Sequence, residues 1–189
     1  MSTIGWIILV AAIVVAVVVV MLVVARASNA RRREHLQDRF GPEYDRTVDE
    51  SASRRDAEKE LAERERRREE LDIRPLSGAA RSRFSDEWNG VQQRFLDDPE
   101  GATSQAERLV RRVMDERGYP ADDDTTDRAD LVSVDHPDVV EKYRHGRETL
   151  DAGTDGQEER TENLRVAMVD FRAVLESLLE TDDQLAPTR

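Results

Sequence analysis

IGWIILVAAIVVAVVVVMLVVA, running from Ile4 to Ala25, is the stretch that orders the rest of the chain. It holds 22 residues and no Asp, Glu, Lys or Arg. As a helix it is about 33 Å long, enough to cross a hydrocarbon core about 30 Å thick. Its Val and Ile content would suit a buried strand. A lone strand in lipid leaves its backbone polar groups unpaired, so a single spanning segment must be helical. Ile4, Trp6, Val15 and Val24 mark the expected anchor. Trp6 lies near its outer end, where an indole suits the headgroup level.

The flanks set the direction. No Lys or Arg precedes the run, whereas Arg26, Arg31, Arg32 and Arg33 follow it closely. The positive-inside rule then places the amino terminus outside and the remainder in the cytoplasm, on a single-pass plasma-membrane anchor. Ala25-Arg26-Ala27 has the small-x-small form of a signal cleavage site. The basic region that precedes such signals is missing, and the apolar stretch exceeds their usual ~7–15 residues, so the helix is expected to be retained. The lipid bilayer is therefore the first expected partner.

Charged residues make up 37% of the 189 residues and aromatics 5%, so the part beyond the anchor is polar with a thin core. A net charge of −12 argues against a nucleic-acid-binding surface. The charge is uneven. From Arg26 to Phe40, five Arg stand against Glu34 and Asp38, giving +3, while from Asp122 to Arg189, 19 acids stand against 8 bases, giving −11. The basic cluster draws toward anionic headgroups, and the acidic distal part is held off them. With no Cys there is no disulfide, no thiol chemistry and no lipoprotein acylation.

Outward from the anchor the chain divides into residues 1–30 (anchor and basic flank), 31–72 (charged helical stalk), 73–180 (helical domain) and 181–189 (flexible tail). Phe40-Gly41-Pro42 breaks the helix that leaves the membrane. From Glu43 to Leu71 the composition is helical, but only Tyr44, Val48, Leu61 and Leu71 are large and apolar. A coiled coil needs apolar a and d positions over three or four heptads, so a solvated single helix is expected.

Beyond Ile73-Arg74-Pro75 amphipathic stripes recur. Phe84, Trp88, Val91 and Phe95 share one face. Ala102, Ala106, Leu109, Val110, Val113 and Met114 share another. Ser77 and Asp98 are expected helix caps, Pro99 a first-turn residue, and Gly118 with Pro120 a helix stop. Leu131, Val132 and Val134 suggest a short buried turn. Val139, Val140, Tyr143 and Leu150 line one further helix, and Leu164, Met168, Phe171, Leu175 and Leu178 the last. The expected fold is all-α: a transmembrane helix, a charged helical stalk and a small four-helix bundle-like domain.

Chemistry-bearing patterns are few. His35, His136 and His145 lie in separate segments, with no metal-binding spacing, and His136 before Pro137 suits a helix-entry turn. There is no phosphate loop and no nucleophile elbow. Catalytic and cofactor-binding residues are therefore expected to be none, and no cofactor is implied. One stretch matches a calcium loop in part, with Asp151, Asp155 and Glu162 as candidate ligands and Gly156 at the sharp turn. Gly153 removes the ligand at position 3 and Glu158 replaces the usual aliphatic residue at position 8, leaving a weak candidate. Asp122-Asp123-Asp124 reads as a solvated loop.

Five short stretches together resemble a family of uncharacterised actinobacterial proteins with one N-terminal transmembrane segment. They are Arg39-Phe40-Gly41-Pro42-Glu43-Tyr44, Leu71-Asp72-Ile73-Arg74-Pro75-Leu76, Phe95-Leu96-Asp97-Asp98-Pro99, Arg117-Gly118-Tyr119-Pro120 and Ser133-Val134-Asp135-His136-Pro137. Members are described as membrane or secreted proteins, and the resemblance implies no activity or site residue. The expectation is a non-enzymatic, membrane-tethered interaction or scaffold protein with an unidentified protein partner. The alternatives are a membrane-anchored ligand or calcium sensor, or, with reversed topology, an extracytoplasmic envelope protein.

Overall fold

The computed structural model describes residues 3–121, 128–152 and 156–180; before residue 30 only some side chains are described. Among the described residues the chain is all-helical, with eight helices and no strand. These are α1 (Thr3–Phe40), α2 (Pro42–Glu50), α3 (Arg54–Glu69), α4 (Gly78–Arg94), α5 (Pro99–Arg117), α6 (Arg128–Asp135), α7 (Pro137–Asp151) and α8 (Gln157–Glu180). Two compact units separate, residues 1–39 and residues 40–189.

The first unit is helix α1. Trp6, Ile13, Val17, Val19, Val20 and Met21 are exposed on it. Among the described residues no helix is long and apolar enough to cross a membrane. The side chains of Ile4, Val15 and Val24 lie outside the described residues. Arg26, Arg31 and Arg32 are exposed and Arg33 is half-buried.

The second unit is built on the amphipathic stripes. Phe84, Trp88 and Val91 of α4 are buried, with Phe95 half-buried at its end. They meet Ala102, Ala106, Leu109, Val110, Val113 and Met114 of α5. Helix α8 contributes Met168, Phe171, Val174, Leu175 and Leu178 to the same core, and α7 contributes Val140 and Tyr143. Local chemistry sets the ends of these helices. Ser77 Oγ accepts from Ala80 N at 3.1 Å, and Asp98 Oδ1 accepts from Gly101 N at 3.0 Å, each satisfying a donor the helix start leaves free. Arg160 donates to the carbonyls of Leu150 (3.0 Å) and Ala152 (2.9 Å), closing the end of α7.

Helix α5 stops at Gly118, whose φ of 101° lies in the left-handed region. Its N–H donates to Met114 O at 3.1 Å, and Tyr119 N donates to the same carbonyl at 3.0 Å. A Cβ on Gly118 would stand 2.5 Å from the backbone oxygen of Asp72. Gly118→Ala therefore meets both an unfavourable φ and a backbone clash. We expect it to lower the unfolding free energy by more than about 1 kcal/mol, read by urea denaturation.

Two expectations are corrected. Residues 43–71 are not one solvated helix. Ser51–Ser53 interrupts it, with Ser53 Oγ accepting from Asp56 N at 3.2 Å to start α3. Helices α2 and α3 pack on α7 and α6 inside the second unit, burying Tyr44, Ala57 and Leu61. Second, the expected turn at Leu131–Val134 is an eight-residue helix, α6, which packs on α3 and α7. The tail 181–189 and Asp122–Asp124 lie outside the described residues.

Candidate functional site

The seam between α2–α3 and α6–α7 is held by charge. Tyr44, Ala57 and Leu61 give it a small apolar part, and the stripe then continues with arginine: 57, 61, 64 and 68 fall at i, i+4, i+7 and i+11 of α3, on one face. The Glu43 side chain is 1% exposed. Its Oε1 accepts from Arg46 at 2.7 Å and from Arg64 at 2.8 Å, and its Oε2 accepts from Arg144 of α7 at 2.8 Å. Asp130 of α6 closes the ring, 3.1 Å from Arg64 and 2.9 Å from Arg144. Arg64 also bonds Glu60.

Burial pushes the Glu43 carboxyl up. Hydrogen bonds from Arg46 and the charge and hydrogen bond of Arg144 outweigh it and hold the group at about 2.

A second polar cluster adjoins the α6–α7 junction. Asp135 Oδ2 accepts from Arg68 Nε at 2.6 Å and from Tyr119 OH at 2.5 Å. Burial, with the charge of Asp135, pushes the Tyr119 hydroxyl well above its ordinary value. His136 is the N-cap residue of α7, as its place before Pro137 suggested. It is buried, with Nδ1 3.1 Å from Ser177 Oγ of α8. Burial first, then the charge of Arg117, lowers His136 to about 4, so the ring is neutral at pH 7. Arg117 is fully buried and donates to Leu178 O at 2.5 Å.

Serine, histidine and aspartate thus stand near one another without forming a hydrolytic relay. A general base is oriented through its second ring nitrogen, and His136 Nε2 has no partner among the described residues, while Asp135 is engaged by Arg68 and Tyr119. What this arrangement does is tie the start of α7 to α8 and the end of α3 to α6. The other two histidines lie apart: His35 is exposed on α1, and His145 Nδ1 is 2.6 Å from Asp170 on the surface.

Of the calcium candidates, Asp151 ends α7 and is exposed, Asp155 lies outside the described residues, and Glu162 sits in α8 held by Arg165 at 2.6 Å. Among the described residues no group of three or more His, Asp or Glu could hold a metal ion.

Glu43 and His136, both buried, contribute to the acid behaviour. For each, the folded state lies below the ordinary value, so its contribution is present above that value and is lost as pH falls toward the folded one. For His136 the window runs from 6.5 down to about 4, and for Glu43 from 4.5 down to about 2. Each window corresponds to a contribution on the order of 3 kcal/mol at neutral pH. Urea midpoints, read from Trp88 in a Trp6→Phe background, are expected to decline from pH 6.5 toward 4. His136→Gln is expected to remove most of that slope; an unchanged slope in this variant refutes the assignment.

Sequence reasoning gives no site role to Glu43, Arg64, Arg68, Arg117, Asp130, Asp135 and Arg144. The readable signal is the stripe of α3, where arginines occupy inward positions. No family model matches this chain, and neither the curated proteins nor the solved structures give a match.

Proposed function

We propose that the protein is a single-pass membrane protein whose acidic helical unit acts as a non-enzymatic interaction or scaffold module on the cytoplasmic side. The observation that carries this reading is the uncharged run Ile4–Ala25, followed closely by Arg26, Arg31, Arg32 and Arg33. The exposed Trp6, Ile13, Val17, Val19, Val20 and Met21 along α1 support it, since apolar side chains left uncovered in this number call for lipid or protein cover. Residues 40–189 carry 24 basic and 39 acidic residues, a net −15, which keeps that unit soluble beside an anionic leaflet. The resemblance to single-anchor actinobacterial proteins points the same way.

Cross-linking in native membranes followed by affinity purification tests the interaction role. A protein partner recovered with the full chain and lost on deleting residues 77–180 is the expected result. Equal recovery with the deleted chain would assign the contact to the anchor and remove the scaffold reading of the helical unit.

A further inference from the structure

We infer that α2 and α3 form a strap that undocks as one piece from α4–α8 while that body stays folded. Three observations on the second unit carry this.

The first is where the apolar core runs. It extends from Leu76 to Leu178 through α4, α5, α6, α7 and α8, and no fully buried member of it comes from α2 or α3. From that side only Leu71 and Ile73, beyond the end of α3, pack against it. The core therefore does not depend on the strap for continuity.

The second is the kind of tie on each side. Within the strap, Tyr44 OH donates to Glu58 at 3.0 Å and Arg64 to Glu43 at 2.8 Å, so α2 and α3 hold each other. To the body the strap is tied by the small apolar seam of Tyr44, Ala57 and Leu61 and by ion pairs: Arg144 to Glu43 (2.8 Å), Arg64 to Asp130 (3.1 Å) and Arg68 to Asp135 (2.6 Å). The attraction of such pairs is largely offset by the cost of drying both partners, so they hold the strap in one register more than they bind it tightly. On undocking, every one of these groups regains water.

The third is the pivot. Arg74 N donates to Arg117 O at 2.9 Å, and Asp72 O packs against Gly118, which fastens the chain just after α3 to the end of α5. The strap can leave its seat while this point stays fixed. Its seat on α6 presents Asp130 and Asp135, and the face that fills it presents Arg64 and Arg68. An arginine-rich helix is therefore what the vacated surface accepts, and the occupant in this chain is its own α3.

Amide hydrogen exchange of the full chain in lipid nanodiscs tests the strap. An isolated α2–α3 pair is too short to stay helical in water, so its exchange reports undocking. Protection over residues 43–69 is expected to be lower than over 102–114 and 164–178. Glu43→Gln, which leaves Arg64 and Arg144 short of one carboxylate charge, is expected to raise exchange over 43–69 by about tenfold or more and to leave the other two segments unchanged. Asp130→Asn is the second variant, read the same way if Glu43→Gln does not fold. A loss of protection shared by all three segments, or no change over 43–69, overturns the proposal.

Discussion

Phe171→Ala is expected to lower the unfolding free energy of the helical unit by about 3–5 kcal/mol, enough to unfold a domain of ordinary stability. Phe171 is fully buried near the middle of α8, where α5 and α7 both pack on that helix. Gly146 of α7 shows how close the approach is: a Cβ there would stand 3.0 Å from Phe171 Cε1. Truncating the ring opens a cavity between two helices whose backbones already sit near each other, and partial collapse sets the place within that range. Val169→Ala, two residues away and 55% exposed, is the control, with a change within about 0.5 kcal/mol. Urea denaturation followed by Trp88 fluorescence reads both. A loss below about 1 kcal/mol for Phe171→Ala would mean that α8 is not the centre of this core.

Arg128→Met is expected to cost about 1–3 kcal/mol, although Met fills a similar volume and removes a buried charge. Arg128 is 2% exposed. Its Nε donates to Pro120 O at 2.7 Å, its Nη1 to Arg111 O at 3.0 Å, and its Nη2 lies 2.8 Å from Asp115. The first acceptor lies just beyond α5 and the second inside it, so the side chain pins the start of α6 to α5 and to the chain that leaves it. The methionine side chain leaves Pro120 O without this donor, while Arg111 O keeps the helical bond its place inside α5 provides, and the loss at Pro120 outweighs the gain from burying a neutral group. Arg128→Lys is expected to recover only part of the loss, because a single ammonium cannot reproduce the fork of donors. Equal stability of the Arg128→Met variant and the wild-type chain would show that water replaces the guanidinium there.

The fold is legible wherever apolar residues recur at helical spacing. The stripes of α4, α5, α7 and α8 mark the core, and Ser77, Asp98, Pro99 and Gly118 mark helix ends that the structure keeps. Helix α6 reads only as a turn, because Leu131, Val132, Ser133 and Val134 are buried together and leave no polar face to reveal a helical period. The position of α2–α3 is not legible for the opposite reason. Their inward positions are charged, and charge at helical spacing ordinarily marks a solvated face. Glu43 and Asp130 balance Arg64 and Arg144 only after α2, α3, α6 and α7 are brought together, with Glu43 and Arg144 paired over 101 positions, which local pattern does not contain.

Trypsin digestion of sealed membrane vesicles of both orientations, followed with an antibody to residues 77–180, tests the central claim most directly. With Ile4–Ala25 holding an acidic helical unit at the inner face, residues 77–180 are expected to survive intact in right-side-out vesicles and to be cut in inverted ones. Digestion in right-side-out vesicles, or recovery of the chain in the soluble fraction before digestion, would contradict it.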